Sequence, residues 1–206
     1  FHIIDDVFNY DMDRSKKIFR EIKKKYSNSL SFSFPNGIRA DLVDEELIGL
    51  FGDCGCYKIY FGIESYSDRI RNNLMNKNIS IDKINKAIKL CLKNKIIPAG
   101  YFIFGYPGET QKEIGETINY SKNSGLVIAH FFKFSDYYSK FSEKSETYFF
   151  DYKEPNWNVL KAYDEFYLNF KRIFRILYFS PSKIKVLRNI LKLISKIILY
   201  KIIRQL

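Results

Sequence analysis

Residues Gly100 to Thr110 read GYFIFGYPGET, an apolar run that breaks into a turn rich in glycine and proline. Tyr101 to Phe104 are uninterrupted and apolar, which predicts a parallel strand covered on both faces. Gly105 and Gly108 follow as positions without a Cβ, where the chain can turn sharply or let a ligand approach the backbone. Pro107 fixes the turn, and Glu109 and Thr110 stand where the next helix begins. A ligand at this joint would meet bare main-chain groups and one carboxylate, although such a joint is also ordinary α/β punctuation.

Two other strands end in the same way. The run FHIIDDVF over Phe1 to Phe8 closes on the adjacent acids Asp5 and Asp6, and YKIYFGIES over Tyr57 to Ser65 closes on Gly62, Glu64 and Ser65. In parallel α/β sheets and barrels, sites form outside the carboxyl ends of the strands. Apolar periodicity predicts strands near 1–5, 30–34, 57–63, 99–104 and 126–134. Helices are expected at 13–26, 44–52, 67–74, 81–95 and 110–123, with Asp44 and Ser80 as N-caps. Right-handed crossovers would join these units.

Taken in order, several pieces resemble one family. They are Ile4-Asp5-Asp6-x-Phe8, Arg39 with Asp41, Gly55-Cys56-x-x-Ile59-x-Phe61-Gly62-Ile63-Glu64-Ser65, Lys77, and Gly105-x-Pro107-Gly108-Glu109-Thr110. Their order and spacing resemble radical S-adenosylmethionine (SAM) enzymes, nearest the cobalamin-binding-domain clade, over about residues 1 to 135. The resemblance implies an α/β fold, a partial (β/α)6 barrel with strands two to six present, followed by a helical C-terminal extension. It divides the chain into a barrel portion at 1–135, a connecting loop at 136–155 and a helical extension at 156–206.

The resemblance also implies the cofactors. SAM would be cleaved reductively at a [4Fe-4S] cluster to start radical chemistry on an unidentified small-molecule or lipid-like substrate, with an external electron donor. Cobalamin-dependent methyl transfer and ring formation both stay open as outcomes. Asp5 and Asp6 would accept hydrogen bonds from the SAM ammonium, while Glu64 and Ser65 would meet the ribose hydroxyls. The backbone from Ile103 to Gly105 would meet the adenine edge. Arg39 would pair with the SAM carboxylate.

Each assignment has a plainer counterpart. Asp5 and Asp6, like Glu64 and Ser65, can cap a helix, and Arg39 can pair with Asp41. Glu109 can organise its own loop, and Lys77 has no assigned role. Tyr66 departs from the family, which usually has Gly after Glu-Ser, and a larger ring there would narrow the space beside the ribose.

The family's C-x-x-x-C-x-x-C loop, which ligates three irons, is absent from the sequence, and Cys54, Cys56 and Cys91 do not match its spacing. No metal ligands are therefore assigned. The chain starts at Phe1 inside a strand, without Met, and reads as the carboxyl-terminal piece of a longer enzyme, inactive alone. A cluster-less relative acting as a binding or membrane-associated module is the alternative. A methylthiotransferase-like tRNA modifier would share the Pro-Gly-Glu-Thr loop, but residues 156–206 read as helical rather than as a β-rich RNA-binding domain.

Three unpatterned cysteines and no visible signal peptide fit a cytoplasmic protein. The net charge of +11 is spread over several clusters with no RNA-binding signature, so nucleic acid is disfavoured as a partner. Residues 182–206 place Ile184, Leu187, Ile190, Leu191 and Ile194 against Lys185, Arg188, Lys192 and Lys196. Such a basic amphipathic helix either packs on the barrel or lies peripherally on an anionic membrane surface. Charges recur too often for a membrane span, which needs roughly 18 apolar residues in a row.

Overall fold

A computed structural model describes residues 1–26, 29–134 and 157–180, together with Lys183, Ile184, Leu187, Arg188, Leu191, Lys192 and Ser195. The expected connecting loop at 136–155 lies outside the described residues. Strands and helices alternate: α1 (Met12–Tyr26), β1 (Phe32–Phe34), α2 (Glu45–Asp53), β2 (Cys56–Glu64), a π-helix (Arg69–Leu74), α3 (Ile81–Lys93), β3 (Ile97–Phe104), α4 (Gln111–Asn123) and β4 (Ile128–Lys133), then α5 (Trp157–Tyr167) and α6 (Phe170–Phe179). All neighbouring strands pair in parallel, in the order β1-β2-β3-β4.

Local chemistry starts the helices where the sequence predicts. The Leu47 N–H donates to Asp44 Oδ1 at 2.8 Å, and Ser80 and Thr110 cap α3 and α4. Thr110 and Glu113 complete a capping box at α4. The segment 1–5 forms a shorter pairing than expected, a single parallel bridge from His2 to Ser33 at the β1 edge. The stretch 157–179 is two helices rather than one, because Asn169 turns the chain and its side chain accepts from the Lys171 N–H.

The helices bury one face of the sheet. Phe8, Phe19, Phe32, Phe34 and Phe51 pack as one aromatic cluster, with Phe19 and Phe51 centroids 4.7 Å apart. Along β3, buried Phe102 and Phe104 alternate with half-exposed Tyr101 and Ile103. The expectation that this strand is covered on both faces is therefore corrected for Tyr101 to Phe104: among the described residues its second face is only partly covered there, as on the inside of an incomplete barrel. Tyr60 and Tyr101 stack on that face at 4.8 Å, with His130 5.7 Å from each.

β4 ends the sheet, and α5 closes its edge. The Tyr167 hydroxyl donates to the Ala129 carbonyl at 2.9 Å and accepts from the Ala129 N–H at 3.2 Å, while Tyr163 accepts from the Phe131 N–H. Tyrosine hydroxyls thus occupy backbone groups that would otherwise invite another strand. Ala162 and Phe166 extend the barrel core into α5.

Candidate functional site

The chain leaves β2 through a bulge between Gly62 and Glu64, and Glu64 then adopts a left-handed backbone with φ of 62°. A non-glycine residue held there is a local strain of the kind concentrated at functional sites. The bulge turns the Glu64 carboxylate back across Gly62 to Lys77, whose Nζ lies 2.7 Å from Oε1. A Cβ on Gly62 would meet Glu64 Oε1 at 2.8 Å and Lys77 Nζ at 3.0 Å. Glycine at 62 is thus a spatial requirement of the ion pair.

Arg71 fixes the segment that follows. Its buried guanidinium donates to the carbonyls of Ser65, Tyr66 and Ile79 at 3.0, 2.9 and 2.8 Å, and to Asp68. The π-helix carries Arg71 inward, and burial lowers its pKa from the ordinary value. Ser65 is fully buried: its hydroxyl meets Thr117 Oγ1 at 3.1 Å and accepts from the Ser67 N–H. The Ser65 hydroxyl is thus spent on α4 and on the turn after β2, not on a cap of the π-helix, whose N-cap position is Asp68. Tyr66 also turns outward, its ring stacked on Tyr120 of α4 at 5.1 Å.

Arg39 lies on the other side of Lys77. Its fork spends both donors on Asp41 at 2.9 Å, and its Nη2 reaches the Lys77 carbonyl at 3.3 Å. The buried Asn9 side chain clamps this loop by accepting from the Arg39 N–H and donating to the Arg39 and Leu42 carbonyls. Arg39, Asp41, Lys77 and Glu64 thus form one connected polar group. Asp5 and Asp6 are exposed; Asp5 accepts from the Val7 N–H at 3.1 Å, a local turn contact.

After β3, Gly105 turns with φ of 80°, and its N–H donates to Glu109 Oε2 at 2.6 Å. Burial raises the Glu109 pKa, and Oε1 is buried without a hydrogen-bond partner among the described residues. Glu109 therefore organises the turn that presents the Ile103–Gly105 backbone. Glu113 ties this turn to the one after β2: it accepts from Arg69, Ser67 and Thr110. The Arg69 ion pair, then the Thr110 and Ser67 donors, hold its carboxyl far below the usual carboxylate range. Lys77 as the Glu64 partner and Asn9 as the Arg39 clamp were not legible in the sequence. The only signal for Lys77 is its place in the motif series.

The cysteines do not form a metal centre. The Cys54 thiol donates to the Phe19 carbonyl and the Cys56 thiol to the Lys58 carbonyl, and Cys91 is fully buried. Burial raises all three thiol pKa values, the opposite of what ligation requires. Among the described residues no group of three or more His, Cys, Asp or Glu side chains could hold a metal ion.

The family model described as the radical SAM superfamily matches residues 1–121. A cytidylyl-2-hydroxyethylphosphonate methyltransferase of Streptomyces wedmorensis is 31% identical over 138 residues, covering 64% of this chain and 25% of that protein. An anaerobic magnesium-protoporphyrin IX monomethyl ester cyclase of Rubrivivax gelatinosus is 28% identical over 120 residues, covering 56% and 21%. The chain thus spans about a quarter of the length of these curated relatives. A similar fold is seen in the radical SAM methyltransferase TsrM from Kitasatospora setae, solved with cobalamin and a [4Fe-4S] cluster bound. The TM-score is 0.59 at 19% identity, over 64% of this chain and 27% of that one.

Proposed function

The chain belongs to the radical SAM superfamily, and we propose that its strand-end cluster is the SAM-holding part of an enzyme that cleaves SAM reductively. The observation that carries this reading is the strained Glu64, aimed over Gly62 and paired with Lys77. A cap for the following helix would need neither the left-handed backbone nor the distant lysine.

In this reading Glu64 accepts hydrogen bonds from the ribose hydroxyls, and Lys77, 2.7 Å from Oε1, holds its carboxylate in position. Ser65 acts through the backbone, holding the turn against Thr117. The Ile103–Gly105 backbone meets the adenine edge, with Glu109 fixing the approach. Asp5 and Asp6 receive the ammonium, and Arg39, already oriented by Asp41, lies within the same connected group.

When bound, a [4Fe-4S] cluster supplies the electron for SAM cleavage. The three cysteines here do not fit that cluster, so its ligands are assigned outside this chain's described residues. Methyl transfer with cobalamin is the outcome favoured by the methyltransferase relatives, and ring formation is favoured by the cyclase.

The test is equilibrium dialysis of the 206-residue chain against SAM and 5′-deoxyadenosine. Glu64→Gln should weaken both about tenfold, because each ligand carries the ribose. Asp5→Asn with Asp6→Asn should weaken SAM alone. Equal binding by the Glu64 variant would overturn the assignment.

A further inference from the structure

Ten of the 34 basic residues and none of the 23 acidic ones fall within 166–206. The preceding residues are nearly balanced, 24 basic against 23 acidic, so the net charge of +11 resides almost entirely in this last segment. It is a property of one part of the molecule, not of its surface in general.

The way α6 is anchored shows how that charge is presented. Arg172 is 3% exposed and donates to the carbonyls of Ser121, Lys122 and Ser124 at 3.2, 2.9 and 3.1 Å. Its guanidinium also lies 4.0 Å over the Phe166 ring. Arg175 donates to the Ser124 and Leu126 carbonyls. A cation at the C-terminal end of α4 suits the helix dipole, so this face of α6 is fixed inward.

The opposite face is consequently fixed outward. Phe170, Phe174 and Tyr178 recur every fourth residue and are 79%, 72% and 73% exposed, with exposed Lys171 beside them. Ile184, Leu187 and Leu191 continue the exposed apolar groups among exposed Lys183, Arg188 and Lys192. Water is a poor environment for such a row of rings and aliphatic side chains.

We propose that the outward face of α6, with the exposed apolar and basic residues from Lys183 to Lys192 that the structure describes, docks the protein on an anionic membrane surface. The aromatic row of α6 would enter the headgroup region, and the surrounding cations would meet lipid phosphates. Among the described residues no helix is long and apolar enough to cross a membrane. Two other occupants fit less well. A second copy of the chain would bring the exposed cations Lys171, Lys183, Arg188 and Lys192 against like charges, with no acidic residue within 166–206 to offset them. Single-stranded nucleic acid would use the cations and stack on rings, but gains nothing from Ile184, Leu187 and Leu191.

The experiment is co-sedimentation of the 206-residue chain with phosphatidylcholine vesicles, with and without phosphatidylglycerol. Binding is expected only with phosphatidylglycerol, and it should weaken in high salt. Phe170→Ser with Phe174→Ser should lower partitioning about tenfold or more, at unchanged circular dichroism. Lys183→Glu with Arg188→Glu and Lys192→Glu provides a second arm at exposed positions, and it should reduce binding independently. The proposal fails if phosphatidylglycerol does not promote binding. It also fails if the aromatic variant binds as well as the parent while polyuridine RNA displaces both from vesicles. A stable dimer that ignores vesicles would equally overturn it.

Discussion

Lys77 Nζ lies 2.7 Å from Glu64 Oε1, although the two are thirteen positions apart in the chain with a π-helix between them. The pair exists because Gly62 leaves the space that both side chains occupy. Lys77 thereby links the strand end to the Arg39 loop through its own carbonyl.

Gly62→Ala should separate the pair. Its Cβ would stand 2.8 Å from one member and 3.0 Å from the other, and flexible side-chain ends can retreat. We expect a stability change within about 1 kcal/mol, since the pair is only partly buried. Binding of 5′-deoxyadenosine should fall about tenfold, because a displaced carboxylate no longer meets the ribose. Urea unfolding and equilibrium dialysis together check this, and unchanged dialysis would sink the idea.

Glu64→Asn should uncouple stability from binding. Asn tolerates the left-handed backbone at φ of 62° better than Glu, a relief of up to about 1 kcal/mol. The shorter side chain cannot reach the ligand or Lys77. The expected result is a melting temperature equal to or above the parent's with ligand binding lost. A variant that binds normally contradicts the role given to Glu64.

Arg71→Met should be severely destabilising. It strips three backbone carbonyls of their buried donor, and each unsatisfied group costs about 1–3 kcal/mol. A loss of at least about 3 kcal/mol in urea unfolding is expected. A loss below about 1 kcal/mol would show that water replaces the guanidinium readily.

Glu109→Gln should change the pH dependence of stability. Burial raises the Glu109 pKa above its ordinary 4.5, so folding favours the protonated form. Its favourable contribution is complete below pH 4.5 and is lost as pH rises through the raised value. The stability of the parent relative to the Gln variant should therefore decline over that interval. Gln keeps an oxygen for the Gly105 N–H, so the turn persists. Parallel melting curves from pH 4 upward test this, and curves that stay parallel in pH refute it.

Iron and sulfide reconstitution gives a fifth expectation. Cys54, Cys56 and Cys91 are buried thiols, so the chain should acquire no [4Fe-4S] absorbance. Replacing all three by Ser should leave its iron content unchanged. A cluster signal removed by those substitutions would reverse the reading of the cysteines.

The strand–helix alternation, the caps at Asp44, Ser80 and Thr110, and the gathering of Glu64 and Gly105 at strand ends all follow from local rules. Each needs only apolar periodicity, a short polar side chain before a helix, or a Cβ-free turn. Motif order supplied the radical SAM superfamily, which the match over residues 1–121 bears out. Local rules fail where the determining neighbour is remote in sequence. Ser65 looks like a ligand-facing hydroxyl until α4 brings Thr117 against it, and Arg39 has no visible link to Lys77 until folding brings the Lys77 carbonyl to its Nη2. Tyr101 looks like a residue of a strand buried on both sides, yet it is half-exposed while Phe102 and Phe104 on the other face are buried. Sequence by itself determined which segments form and at which end their polar groups collect, because those depend on neighbours a few residues away. Only the tertiary structure decided which of those groups remain free to act, because hydrogen bonds and ion pairs form between side chains that folding brings within 3 Å.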